Sequence, residues 1–199
     1  PDHSGAWDFE EFKQNLRVNV TRWTADLCGF DLVGVDASIA NAIRRVLIAE
    51  VPSVAIEHVY IWNNTSIIQD EVLSHRLGLI PLAIDPRKLS FKMDDEANDQ
   101  NTVVFNLKAD CWKNGNSKDA TVEGRYVYSS QLEWDPKGDQ AEFMVDSPPR
   151  PVNQDIVIAK LAPGQGMEME LHCEKGIGKD HAKFSPVATA TYRLLPLIE

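Results

Sequence analysis

The segment Gly176-Ile-Gly-Lys-Asp-His181 gathers two glycines, a lysine and a histidine within one turn's length, and a lysine after glycine is part of what holds phosphate in a P-loop. The P-loop pattern GxxxxGK[ST] is not met, because Cys173 stands where the first glycine belongs and Asp180 stands where a hydroxyl would meet Mg²⁺. A glycine turn that lets two strands approach accounts for the segment better. His172, Cys173 and His181 are of the types that ligate zinc, yet neighbours in a strand point to opposite faces and no fourth soft ligand lies near them. A buried cysteine beside a surface histidine is the plainer expectation. A Cys or Ser nucleophile with a His base needs proximity only in space, so a stand-alone enzyme using His172, Cys173 or His181 stays open as the alternative. No GxSxG elbow occurs, and the carboxylates of Asp94-Asp95-Glu96 fall in a polar stretch read as a solvated loop. No motif asks for a cofactor or a metal.

Arg44 and Arg45 interrupt an otherwise apolar helix, and guanidinium forks suit the carboxylates and aromatic faces of partner proteins. That helix runs from Asp36 to Val51, with Ile39, Ile43, Val46, Leu47 and Glu50 at helical spacing; Asp36 or Ser38 can cap its free amides and Pro52 stops it. Its apolar residues cover more than one stripe. One stripe can pack on the chain's own sheet, which leaves Ile48 and the arginines for an interface. The alternative is two solvated arginines on an exposed helix face.

The elements that would carry these residues are mostly strands. From Phe12 to Val35 the apolar positions alternate, with Asp26 to Gly29 between, which predicts an antiparallel strand pair opening the protein. Val54 to Trp62 alternates again through Val54, Ile56, His58, Tyr60 and Trp62, and Asn63 to Ser66 makes a turn. Gln69 to Leu77 reads as a short helix capped by Asp70 and closed by Gly78. Strands are expected over Thr102 to Asp110, Arg125 to Leu132, Ile156 to Leu161 and Met167 to Cys173, with polar loops over 85–101 and 113–124. The fold class expected from these elements is α+β.

Composition narrows the function classes. The chain has 199 residues, 43% apolar and 25% charged, which suits a folded protein rather than a disordered one. Lys+Arg 20 against Asp+Glu 30 gives a net charge of -10, spread along the chain, so a phosphate-neutralising surface and direct nucleic-acid binding are disfavoured. No apolar run approaches a membrane span, and no basic-then-apolar leader follows Pro1, which is not a starting Met. Cys28, Cys111 and Cys173 are odd in number and far apart, which fits a reducing intracellular compartment. The sequons at Asn19, Asn63 and Asn64 are then read as chance matches.

Three long ordered blocks carry a resemblance: Ala40-Asn-Ala-Ile-Arg-Arg-Val-Leu-Ile-Ala-Glu-Val-Pro52, the segment from Asn63 to Pro81, and the segment from Gly176 to Pro196. In these the chain resembles the alpha-like subunits of RNA polymerases, in particular the larger one shared by eukaryotic polymerases I and III and related to bacterial alpha. The resemblance implies a discontinuous dimerisation domain, residues 1–51 with 181–199, interrupted by a mainly β insertion domain over 52–180. It implies a non-catalytic assembly subunit of the nucleus, in nucleolus and nucleoplasm, that pairs with a smaller alpha-like subunit and binds the second-largest and largest subunits. The interface residues it implies are Ile39, Asn41, Ile43, Arg44, Arg45, Leu47, Ile48, His181, Lys183 and Ser185, with the arginine pair toward the second-largest subunit. Members of the family continue beyond the tyrosine-containing block with further strands and a long helix, so a chain ending at Glu199 is expected to be a fragment. The polymerase II counterpart carries a zinc cysteine cluster, and some archaeal relatives carry iron–sulfur ligands; the three cysteines here assemble neither, which points to the polymerase I/III type.

Overall fold

The computed structural model describes residues 7–93, 96–114 and 121–196. The chain divides into two compact units, residues 1–48 with 187–199 and residues 49–186.

In the first unit Asp8 opens α1 (Phe9–Asn15): its Oδ1 accepts the amides of Glu10 at 2.8 Å and Glu11 at 3.4 Å, and both glutamates sit favourably in the first turn. The alternation that begins at Phe12 in the sequence therefore starts inside a helix, and the sheet begins later, with β1 (Arg17–Trp23) and β2 (Cys28–Val33). They pair antiparallel, placing Val18 opposite Leu32 and Val20 opposite Phe30, with Thr21 as an extra residue in β1. Gly34 follows at φ +79; a Cβ there would stand 2.4 Å from the Asn15 carbonyl, so glycine is required on two counts. Asp36, not Ser38, caps α2 (Ala37–Ala49), its Oδ1 accepting the Ser38 amide at 2.8 Å.

No described residue of this unit is buried. Val18 and Val20 are 56% and 58% exposed, Phe30 39% and Trp23 77%. The stripe of α2 expected to pack on the chain's own sheet is at best half-buried, at Ile43, Leu47 and Ile48, because the β1–β2 ribbon offers two strands and no enclosing layer.

The second unit has the full core. It contains β3 (Ser53–Asn64), α3 (Asp70–Gly78), β4 (Leu82–Ala83), β5 (Thr102–Asp110), β6 (Trp112–Asn114), β7 (Thr121–Glu123), β8 (Tyr126–Tyr128) and β9 (Glu133–Asp135). It continues with α4 (Gln140–Phe143), β10 (Arg150–Pro151), β11 (Val157–Lys160) and β12 (Gly166–Gly176). Four strands form an antiparallel sheet in the order β3-β12-β5-β9, and β4–β10, β6–β7 and β8–β11 are two-stranded ribbons. Along β12 the residues Met167, Met169, Leu171 and Cys173 enter the core, while Glu168, Glu170, His172 and Glu174 line the opposite face. Val103, Phe105, Leu107 and Ala109 of β5 lie beside them, and Leu73 and Leu77 of α3 close the layer.

β3 departs from the simple alternation. Cys173 pairs with Ile56 and His172 with His58, so Glu57 is an extra residue in a bulge. The parity of the strand changes there: Val54 and Ile56 face the core before it, and Val59 and Ile61 after it. Tyr60 and Trp62, expected in line with Val54 and Ile56, are instead exposed. In α3 the expected cap fails as well. The N-cap position is Gln69 and makes no side-chain cap, while Asp70 accepts from the Asn64 side chain at 2.7 Å. The segment 125–132 gives only β8 as strand before a 3-10 turn, Ser129–Gln131. Asp94, Asp95 and residues 115–120 lie outside the described residues.

Lysine side chains hold loops by their backbone. Lys88 Nζ donates to the Phe143 carbonyl at 2.8 Å and Lys175 Nζ to the Leu89 carbonyl at 3.0 Å. The buried amide of Gln140 donates to the Asp99 and Thr102 carbonyls at 2.8 and 2.7 Å, which satisfies both its N–H groups. Gly176 ends β12 under the ring of Phe184, where a Cβ would stand 2.7 Å from the ring carbons. Gly176→Ala is therefore expected to destabilise the protein by about 1–3 kcal/mol through overpacking; thermal unfolding checks it, and an unchanged midpoint would refute the packing argument.

Candidate partner interface

The residues singled out in the sequence fall into two sets, one in each unit. In α2, Asn41 and Arg44 stand three residues apart on one helix face. The guanidinium donates from Nε and Nη2 to Asn41 Oδ1 at 3.1 and 2.9 Å. Arg45 is exposed, Ile39 is 39% exposed, and Ile43, Leu47 and Ile48 are half-buried. Among the described residues, neither arginine has a carboxylate within ion-pair distance. The first unit thus presents a helix with two guanidinium groups that no described carboxylate neutralises, and a ribbon with Val18, Val20 and Phe30 open to water.

His181, Lys183 and Ser185 belong to the second unit; His181 and Ser185 flank a 3-10 turn, Ala182–Phe184, and Lys183 lies within it. His181 Nδ1 accepts the Lys183 amide at 3.1 Å, which fixes the ring proton on Nε2, and the ring meets His75 edge-on at 6.3 Å. The Lys183 side chain turns inward: 11% exposed, it pairs with the Glu57 carboxylate at 2.5 Å and donates to the Ile56 carbonyl at 2.9 Å. Ser53 Oγ donates to the Phe184 carbonyl at 2.6 Å, fastening the same turn to the start of β3. Nothing in the alternation of β3 marks Glu57 as the counter-ion of Lys183; only the bulge makes it one.

The residues that might have served an enzyme are set apart. Cys173 is wholly buried on the core face of β12, and His172 is on the opposite face. Burial, and then the charge of Glu174, push the Cys173 thiol far above its ordinary range, with Lys183 opposing weakly. A thiol held protonated is not a nucleophile at neutral pH. His172 is not the surface residue expected: its side chain is 15% exposed, bonded through Nε2 to Glu170 Oε1 at 2.7 Å and packed edge-on against Tyr60. Among the described residues, no group of three or more His, Cys, Asp or Glu side chains is placed to hold a metal ion. Nor is any helix long and apolar enough to cross a membrane. Alkylation of the native protein at pH 8 should therefore label exposed Cys28 and spare Cys111 and Cys173; modification of Cys173 before unfolding, seen by mass spectrometry, would contradict this arrangement.

Comparison with known proteins places this geometry in a lineage. The family model described as "RNA polymerase Rpb3/RpoA insert domain" matches residues 59–195. The chain is 48% identical to "DNA-directed RNA polymerases I and III subunit RPAC1" of Mus musculus, over 98% of its own length and 59% of that protein's. Against the subunit of the same name in Saccharomyces cerevisiae the identity is 45%, over 99% and 62% of the two lengths. Against "DNA-directed RNA polymerase II subunit rpb3" of Dictyostelium discoideum it is 39%, over 85% and 54%. The chain spans about three fifths of the length of the RPAC1 relatives it matches. With the family model matching most of its residues, including β12 with its bulged partner β3 from Val59 onward, the chain belongs to the Rpb3/RpoA family of RNA polymerase subunits.

Proposed function

We propose that the protein is a non-catalytic assembly subunit of RNA polymerases I and III. The observation that carries this reading is the first unit, in which no described residue is buried while an apolar ribbon face and an amphipathic helix lie open. A fold with no core of its own gains its stability from what covers it. The names of the relatives at 45–48% identity support the polymerase I/III assignment over the polymerase II one, where the identity is 39%.

In this reading residues 1–51 and 181–199 form the dimerisation part, with 52–180 inserted. The ribbon and the Ile39, Ile43, Leu47 and Ile48 side of α2 meet a smaller alpha-like subunit. Arg44, bonded to Asn41, and Arg45 meet the second-largest subunit, and the largest joins the assembly thereafter. His181, Lys183 and Ser185, at the start of the second segment of the dimerisation part, contribute to the same assembly by shaping the turn there. The protein works in the nucleus, in nucleolus and nucleoplasm, and the net charge of -10 suits a scaffold away from the nucleic acid. It needs no metal or cofactor.

Affinity purification of the tagged full-length protein from its own cells tests the reading. The large subunits of polymerases I and III are expected together with a small alpha-like partner; recovery of polymerase II alone, or of no polymerase, would overturn it. Replacing both arginines by glutamate should weaken binding of the second-largest subunit by about 2 kcal/mol or more, roughly thirtyfold, with the thermal midpoint of the subunit unchanged.

A further inference from the structure

We infer that Asn41 is a positioning residue for Arg44, and that the fork Arg44 keeps free takes a carboxylate of the second-largest subunit; this rests on the scaffold reading above. A guanidinium only donates, so the atom of Asn41 that meets both Nε and Nη2 is the carbonyl oxygen, and the amide cannot be turned the other way. Those two donors are the side-on edge of the planar group. Their capture by one oxygen fixes the plane of the guanidinium relative to the helix axis. It leaves the end-on edge, one N–H from each terminal nitrogen, parallel and directed away from Asn41, which is the geometry a carboxylate accepts with both oxygens.

Three features make this more than a local helix contact. Asn is a poor choice in a helix interior, where alanine or glutamate would favour the helix, so its presence at position 41 has a cost to local stability that the Arg44 contact offsets. A carboxylate at that position would have satisfied the guanidinium and removed its charge; the neutral amide orients it and leaves the charge available. Finally, among the described residues Arg44 has no acidic partner, in a chain that carries 30 Asp and Glu. A long side chain with its rotamers already restricted loses less freedom on docking.

The test is a double-mutant cycle in the full-length protein copurified with its smaller alpha-like partner, measuring the dissociation constant for the purified second-largest subunit at low salt. Asn41→Ala is expected to weaken binding roughly three- to tenfold, the cost of ordering one long side chain, while the thermal midpoint stays level or rises. Arg44→Ala should weaken binding further, with a shallower salt dependence. The double variant should match Arg44→Ala, because Asn41 acts only through Arg44. An unchanged constant for Asn41→Ala, or losses that add in the double variant, would overturn the positioning role while leaving the scaffold reading intact. No effect of Arg44→Ala would overturn the arginine contact itself, and recovery of no polymerase subunit would strike the scaffold reading, so the failures are separable.

Discussion

The second unit is tied together by one ammonium group placed at the first of two irregularities in β3. Glu57 is one of two extra residues in β3, Trp62 being the other, and the Lys183 side chain comes to Glu57, pairing with its carboxylate and donating to the Ile56 carbonyl as a second partner. A lysine that is 11% exposed has given up most of its water, and it is tolerated only because two acceptors replace the lost hydration. Three elements meet there. The turn that carries Lys183 is fastened to β3, and Gly78 at the end of α3 approaches so closely that a Cβ would stand 3.3 Å from the Ile56 carbonyl and 3.8 Å from the Lys183 ammonium. The bulge lets β3 keep an apolar inner face along its length, although its sequence alternation changes parity midway.

This explains how much of the molecule was legible in the sequence. The long strands over 102–110 and 166–176 and the helix ending before Pro52 follow from periodicity and stop signals that no tertiary contact overrides. The faces of β3 were not legible, since a period-two reading has no place for an inserted residue and sets Tyr60 and Trp62 in line with the core. Helix α1 is not legible in apolar periodicity, because Asp8 and the acids after it work by capping, whereas the alternation that begins at Phe12 points to a strand. Arg44 and Arg45 were visible as an interruption of apolar spacing. The engagement of Arg44 by Asn41, and of Lys183 by Glu57, required the atoms.

The two units solve different physical problems. In residues 49–186 the alternating methionines, leucines and valines of β12 and β5 are enclosed by α3 and the short ribbons, and buried polar groups such as Gln140 find partners inside. The other unit keeps its geometry with caps, a left-handed glycine and strand pairing, and leaves its apolar side chains at the surface. Among the described residues, Arg44 and Arg45 likewise have no carboxylate within ion-pair distance. Residues 49–186 thus enclose a continuous apolar core, whereas no described residue of the other unit is buried.

Under the scaffold reading, a protein with one of its two units finished only on assembly also reports on its own abundance. A copy without partners shows Val18, Val20, Trp23 and Phe30 to the solvent, the kind of surface that chaperones hold and proteases reach first. On that reading, a copy within a complex has them covered. Under the scaffold reading, the bare ribbon makes survival conditional on stoichiometry: the supply of the limiting partner sets how much of this chain persists, with no separate regulator required.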